Sequence, residues 1–409
     1  MKSLQLVKSA ALLTIAAMSF GTLQAQQDFT NEKIVSVPFG EQAPSANPGQ
    51  RNFGGMMPAM RPPQNAQNGQ ATPRPQMQRP PMQMPAGGMG GFGGGQRPAQ
   101  QTRIQNLKDM SMSDPYIFPD EETKTYWLTS TGGSLYKSKD LQNWEGPYNV
   151  IDLSGTWMQG NFVAAAEIHK FNGKYYYAGT WNSHRICIEQ VPRRYNVPLN
   201  QTQLLVSDKI DGPYKPLVPD STFCLGPTDW DIIDGTLYEE NDTVYMVFVH
   251  EWTQLIDGTM DYMPLTKDLK YRTANPTTMF RASEAPWSKE MNSIGEATFG
   301  MKMPGWVTDG PEMFRTQTGK LGMLWSSWGE NRYAQGIAYS TSGSIKGPWV
   351  QEEQAFKGDN SGHGMLFRTF EGQLLYVVHH AEGENGARKP QIWTVDDSGD
   401  KLILGEQLY

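Results

Sequence analysis

The stretch DGTLYEENDTVYMVF (234–248) decides the fold, because the chain repeats its pattern four more times. An acidic residue or histidine opens a short apolar strand, a turn follows, and a second aromatic-rich strand returns. The other copies are DPYIFPDEETKTYWL (114–128), AEIHKFNGKYYYAG (166–179), DGPEMFRTQTGKLGMLW (309–325) and GHGMLFRTFEGQLLYVV (362–378). The opening residues are Asp114, Glu167, Asp234, Asp309 and His363, spaced roughly 50 to 75 residues apart, which suits four-stranded units. A second repeat interlocks with the first. LYKSKDLQNWEGPY (135–148), LLVSDKIDGPY (204–214) and IAYSTSGSIKGPW (337–349) share a strand, a serine and a Gly-Pro-aromatic ending. They read as outer strands. The expected fold is all-β, a five-bladed β-propeller, with a β-sandwich as the second choice.

The propeller would occupy 107–409. Ahead of it, residues 1–25 carry two lysines, an apolar run and small residues, the pattern of a secretory signal peptide cut after Ala25. Residues 26–106 form a linker rich in Pro, Gly, Gln and Met, expected to be mostly disordered because it has too little apolar surface to offset the entropy of ordering. Within it the run KIVSVPFG is a candidate strand. The reading therefore places the protein in the periplasm or outside the cell. No segment is apolar enough to span a membrane. A net charge of -7 gives no reason to expect a nucleic-acid partner. Two cysteines, Cys187 and Cys224, allow one bridge or two buried thiols. Nothing in the sequence fixes an oligomeric state.

In a propeller the innermost strands converge on one axis, so the opening residues gather in one pocket. Several carboxylates there point to acid/base chemistry. At this point the chain resembles glycoside hydrolase family 43. The order DPYIF, AEIHKFNGKYYYAGTW, DIIDGTLYEENDTVYMVF, VTDGPEMF and GHGMLF carries the resemblance across 107–409. It implies hydrolysis of O-glycosyl bonds with inversion, removing terminal arabinofuranosyl or xylosyl, or galactofuranosyl, units from an oligo- or polysaccharide. It also implies that Asp114 is the general base and Asp234 the modulator of the other groups' pKa values.

The resemblance gives Asp309 the general acid's place, where the family normally has Glu. Glu251, beside Trp252, is the close second candidate, and Glu312 would need a β-bulge to reach the pocket. Inverting hydrolysis demands such a set on its own account: one carboxylate to activate water and one protonated carboxyl to donate to the leaving oxygen. Glu167, Trp181, Trp252, Trp306, His363 and Arg388 are candidate substrate contacts, with Trp157 a further ring near the blade loops. Arg388 would otherwise close the ring. No cofactor is expected to be required, with a structural calcium near His363 as an option that the resemblance raises. The missing Glu before Gly-Pro motivates one alternative, a sugar-binding propeller without catalysis. A retaining sucrose- or fructan-cleaving propeller is another.

Overall fold

The computed structural model describes residues 102–187, 197–291, 305–330, 332–382 and 386–409. The signal peptide, the candidate strand KIVSVPFG and nearly all of the linker lie outside the described residues. So does the side chain of Cys187, while Cys224 is buried.

Five antiparallel sheets form in chain order, one for each sequence repeat. Their innermost strands are Tyr116–Asp120, Ala164–Phe171, Ile232–Glu240, Asp309–Arg315 and Ser361–Arg368. Four sheets have four strands. The first gains a fifth, Arg103–Asn106, paired with Asn143–Tyr148. The first blade thus begins at Arg103, four residues before the boundary expected from sequence. All three Gly-Pro endings are cis and lie beside or within the outermost strands of their blades.

Local sequence explains the hairpins. Asn172 and Gly173 both have positive φ and join Ala164–Phe171 to Lys174–Cys187, as a two-residue type I′ turn requires. Asn241 and Asp242 do the same in the third blade, between Glu240 and Thr243. Asp234 is therefore left inside the inner strand, although Asp-Gly is itself a common turn pair.

Each sheet packs on both faces, so its second strand is apolar on both faces. Successive strand residues point to opposite sides. Tyr177 packs between blades one and two, and its neighbour Tyr176 between blades two and three. Val247 lies between blades three and four, while Met246 and Phe248 face blade two. Five buried clusters result, one for each blade interface. The last joins Ile117, Leu128 and Trp144 to Phe367, Leu375 and Ile392, closing blade five onto blade one. Closure also uses backbone bonds: the Met112 N–H donates to the Arg388 carbonyl at 2.9 Å. No helix among the described residues is long and apolar enough to cross a membrane.

Trp325 is fully buried between blades three and four, with its indole N–H donating to Gln351. Truncation there leaves a cavity that rigid sheets cannot fill. Trp325→Ala is expected to cost about 3–5 kcal/mol, read as a lower urea midpoint with an unchanged slope.

Candidate active site

The inner strands carry a shared irregularity. Asp114, Ala165, Asp234, Gly310 and His363 all have φ between 45° and 58°. In blades two to five the pairing register shifts at this point, the mark of a β-bulge. Aspartate and histidine enter left-handed backbone more readily than most residues. Alanine does not, so the conformation belongs to the blade and not to the side chain that it presents.

A ring of hydrogen bonds holds the five positions. Each bulge amide donates to a side chain of the preceding blade. The Asp114 N–H donates to His379 Nδ1 at 3.1 Å, Ala165 to Thr131 Oγ1 at 2.8 Å and Asp234 to Thr180 Oγ1 at 3.0 Å. The Gly310 N–H donates to the Asp234 carboxylate at 3.0 Å, and His363 to Ser326 Oγ at 2.8 Å. The bulges thus share one level around the axis.

This level corrects the sequence phasing. Glu167 and Asp309 are not equivalent to Asp114, Asp234 and His363; Ala165 and Gly310 are. Asp309 precedes its bulge by one residue, and Glu167 follows its bulge by two. Glu312 follows by two as well, and the bulge between Asp309 and Glu312 turns its carboxyl to the axis. Glu167 and Glu312 therefore line a water-sized axial cavity of about 10 Å³ together with Tyr116 and Met365, one layer beyond Asp114 and His363. Burial first, and then the Glu167 charge, pushes the Glu312 pKa well up. Glu167 itself bonds His169 at 2.8 Å.

Asp114 is buried and held on several sides. Thr131 donates to its Oδ2 at 2.5 Å; His363 Nδ1 lies 3.3 Å and Arg388 4.0 Å from Oδ1. Burial alone would raise its pKa. His363, His379 and Arg388 more than offset that and hold the carboxyl well below the usual range. Geometry rules out one part of the His379 share, a hydrogen bond to the carboxylate. Its Nδ1 already accepts from the Asp114 amide, so the same nitrogen cannot also donate to the carboxylate 3.4 Å away. Burial and Arg388 keep that imidazole's pKa down to about 4.

The other two aspartates go the opposite way. Burial and the charge of Asp114 push Asp234 up to about 7, against the Gly310 amide and a hydrogen bond from Asp309. Burial and the charge of Asp234 raise Asp309 well above its ordinary value, although Tyr333 donates to it at 2.8 Å. The two carboxyls share a proton, as adjacent carboxyls must. Glu251 is half-buried and caps the short helix Trp252–Leu255, accepting from the Trp252 N–H. Burial, then Asp231, Asp309 and Asp234, raise its pKa as well. The site thus combines one ionised carboxylate with protonated carboxyls, the division that acid/base chemistry needs.

The tryptophans are mostly structural. Trp181 is 1 % and Trp252 6 % exposed, and both rings are enclosed by protein. Trp157 is also buried, with its indole N–H donating to the Phe223 carbonyl. Trp306 is half-buried against the cluster between blades three and four. Arg388 joins the last blade to the first and also reaches the axis. Its carbonyl closes the ring, while its guanidinium lies over Tyr333 and near Asp114. Thr131, Thr180, Tyr333 and His379 were not singled out from sequence. Only the polar pair ending the apolar run LLYVVHH (374–380) hinted at His379.

Asp234, Asp309 and His363 offer ligand atoms within 4.8 Å of one another. That is a partial match to calcium, which takes six to eight oxygens; water would have to complete the shell.

The sequence pattern of glycosyl hydrolases family 43 matches residues 107–395. Among solved structures, an endo-arabinase from Bacteroides thetaiotaomicron is 34% identical, with a TM-score of 0.60, over 70% of this chain and 95% of that one. An exo-1,5-alpha-L-arabinanase from a bovine ruminal metagenomic library is 18% identical, with a TM-score of 0.51, over 74% and 100%. An endo-1,4-beta-xylanase from Bacteroides thetaiotaomicron is also 18% identical, with a TM-score of 0.54, over 75% and 98%. The last two share the fold. No curated protein matches the chain.

The raised pKa of Asp234 has a consequence for stability. Its carboxyl ionises in the unfolded chain near pH 4 but in the folded one only near 7. Folding therefore loses stability as pH rises through that window, and the loss levels off above it. The advantage of Asp234→Asn over wild type should grow between pH 4 and 7 and then stay constant. Urea titrations across this range measure it; a margin independent of pH would contradict the assignment.

Proposed function

The chain belongs to glycosyl hydrolase family 43 and is a glycoside hydrolase; from that premise we propose that it cleaves α-L-arabinofuranosyl linkages in plant-type glycans with inversion. The observation that carries the mechanism is the split between Asp114, held ionised, and the neighbouring Asp234 and Asp309, whose pKa values are raised so that the pair holds a proton. The choice of sugar is supported by the endo-arabinase at 34% identity.

In the proposed reaction, Asp114 accepts a proton from a water molecule as its oxygen attacks the anomeric carbon. Thr131 and Arg388 orient the carboxylate for this. Asp309 gives its proton to the leaving glycosidic oxygen, and Asp234 keeps that proton in place until then by carrying the neighbouring charge. Glu251 is the second candidate for the acid. Burial first, then Asp231, Asp309 and Asp234, raise the pKa of its carboxyl. The reaction needs no cofactor, and a calcium ion near His363 would be structural. Export to the periplasm or the cell exterior is part of the proposal and rests on the charged and apolar pattern of residues 1–25.

Aryl α-L-arabinofuranosides test the roles. Asp114→Asn should lower kcat by about 10³-fold or more, whatever the leaving group. A variant of the true acid should fail on poor leaving groups yet keep most of its activity on a dinitrophenyl glycoside, which departs without protonation. We expect that pattern for Asp309→Asn; finding it for Glu251→Gln instead would move the role. Full activity in Asp114→Asn would refute the base assignment, and sugar binding without any hydrolysis would make the protein a lectin-like propeller.

A further inference from the structure

A wider cleft of about 610 Å³ lies between the loops of blades one and two. Its walls include Gly132, Asp152, Gln159, Asn161, Phe162 and Trp181. Sites for small organic ligands typically measure roughly 300–1,000 Å³, so the volume admits at least one sugar unit. The lining mixes carboxylate, amide and hydroxyl groups with apolar side chains, among them the exposed ring of Phe162. That combination suits a sugar, whose hydroxyls need partners and whose C–H face is apolar.

Two connections tie the cleft to the reacting groups. Gly132 follows Thr131, which donates to Asp114; Trp181 follows Thr180, which accepts from the Asp234 amide. Each of these walls is therefore one residue from a group that holds a candidate catalytic aspartate, Thr131 by its carboxyl and Thr180 by its backbone amide. Phe162 is 54% exposed on this cleft. Among the described residues the other exposed large aromatic is Tyr271, and its ring packs edge-on against Phe223.

We infer that this cleft is a second sugar subsite, in which a further unit of an oligomeric substrate stacks on Phe162. The inference rests on the glycosidase reading and deepens it. It makes an oligosaccharide or polymer the preferred substrate over a single terminal sugar on a small aglycone.

The test compares Phe162→Ala with wild type on two substrates: an α-1,5-linked arabino-oligosaccharide of four or more units, and p-nitrophenyl α-L-arabinofuranoside. Losing the apolar contact should lower kcat/KM on the oligosaccharide about tenfold, mainly through KM. The aryl glycoside should be cleaved at an unchanged rate, and Phe162→Tyr should restore the oligosaccharide activity. An equal loss on both substrates, or no loss on either, would overturn the inference. If wild type hydrolyses neither, the enzymatic reading fails separately, and calorimetry with arabino- and xylo-oligosaccharides reads the cleft alone. Binding that disappears in Phe162→Ala would still support the subsite; binding that persists, or no binding by wild type, would refute it.

Discussion

Five backbone amides, each donating to a side chain of the preceding blade, set the geometry of this molecule's axis. Without that ring the four left-handed residues other than Gly310 would relax toward extended backbone, saving roughly 1–3 kcal/mol each. The ring therefore depends on the blades being locked side by side, and the five apolar clusters between them supply the lock. Four of the five acceptors are neutral side chains near neutral pH or hydroxyls. The fifth is the Asp234 carboxylate, which accepts the Gly310 amide. Architecture and electrostatics meet there, because the residue that completes the ring also sits between two other acids.

Burial makes like charges expensive, and the axis resolves the conflict unequally. Asp114 has Thr131, His363 and Arg388 around it and stays ionised. Asp234 and Asp309 face its charge and each other's, so they hold a proton. Neither outcome follows from residue type, since all three are aspartates. Each follows from which blade the neighbouring side chains come from. The shorter reach of Asp309 relative to a glutamate also fits this arrangement. A position one residue before the bulge, bonded by Tyr333, keeps it against Asp234.

The fold was legible because its periodicity is coarse. Five hairpins, two of them on Asn-Gly and Asn-Asp turns, and three Gly-Pro endings survive any local error. The site was legible only in part. Asp114, Asp234 and His363 share a level, as their place in the repeats implied. Glu167 and Asp309 do not, because a bulge inserts a residue without leaving a mark in the apolar pattern. The same bulge brought Glu312 to the axis despite its odd spacing from Asp309. Trp181 and Trp252 looked available for sugar, but sheets packed on both faces bury the rings of their second strands and adjoining turns. Thr131, Thr180 and His379 were hidden for another reason. They act across a blade boundary, on residues whose partners in sequence are far away; His379 and Asp114 are 265 positions apart.

The central claim is that an ionised Asp114 delivers water while a separate protonated carboxyl releases the leaving group. A single displacement of that kind inverts the anomeric carbon. Proton NMR of the first sugar released, recorded before mutarotation, tests it most directly. The account predicts a product of configuration opposite to that of the substrate. Retention would mean a covalent intermediate, and with it a nucleophile where Asp114 is assigned as a base.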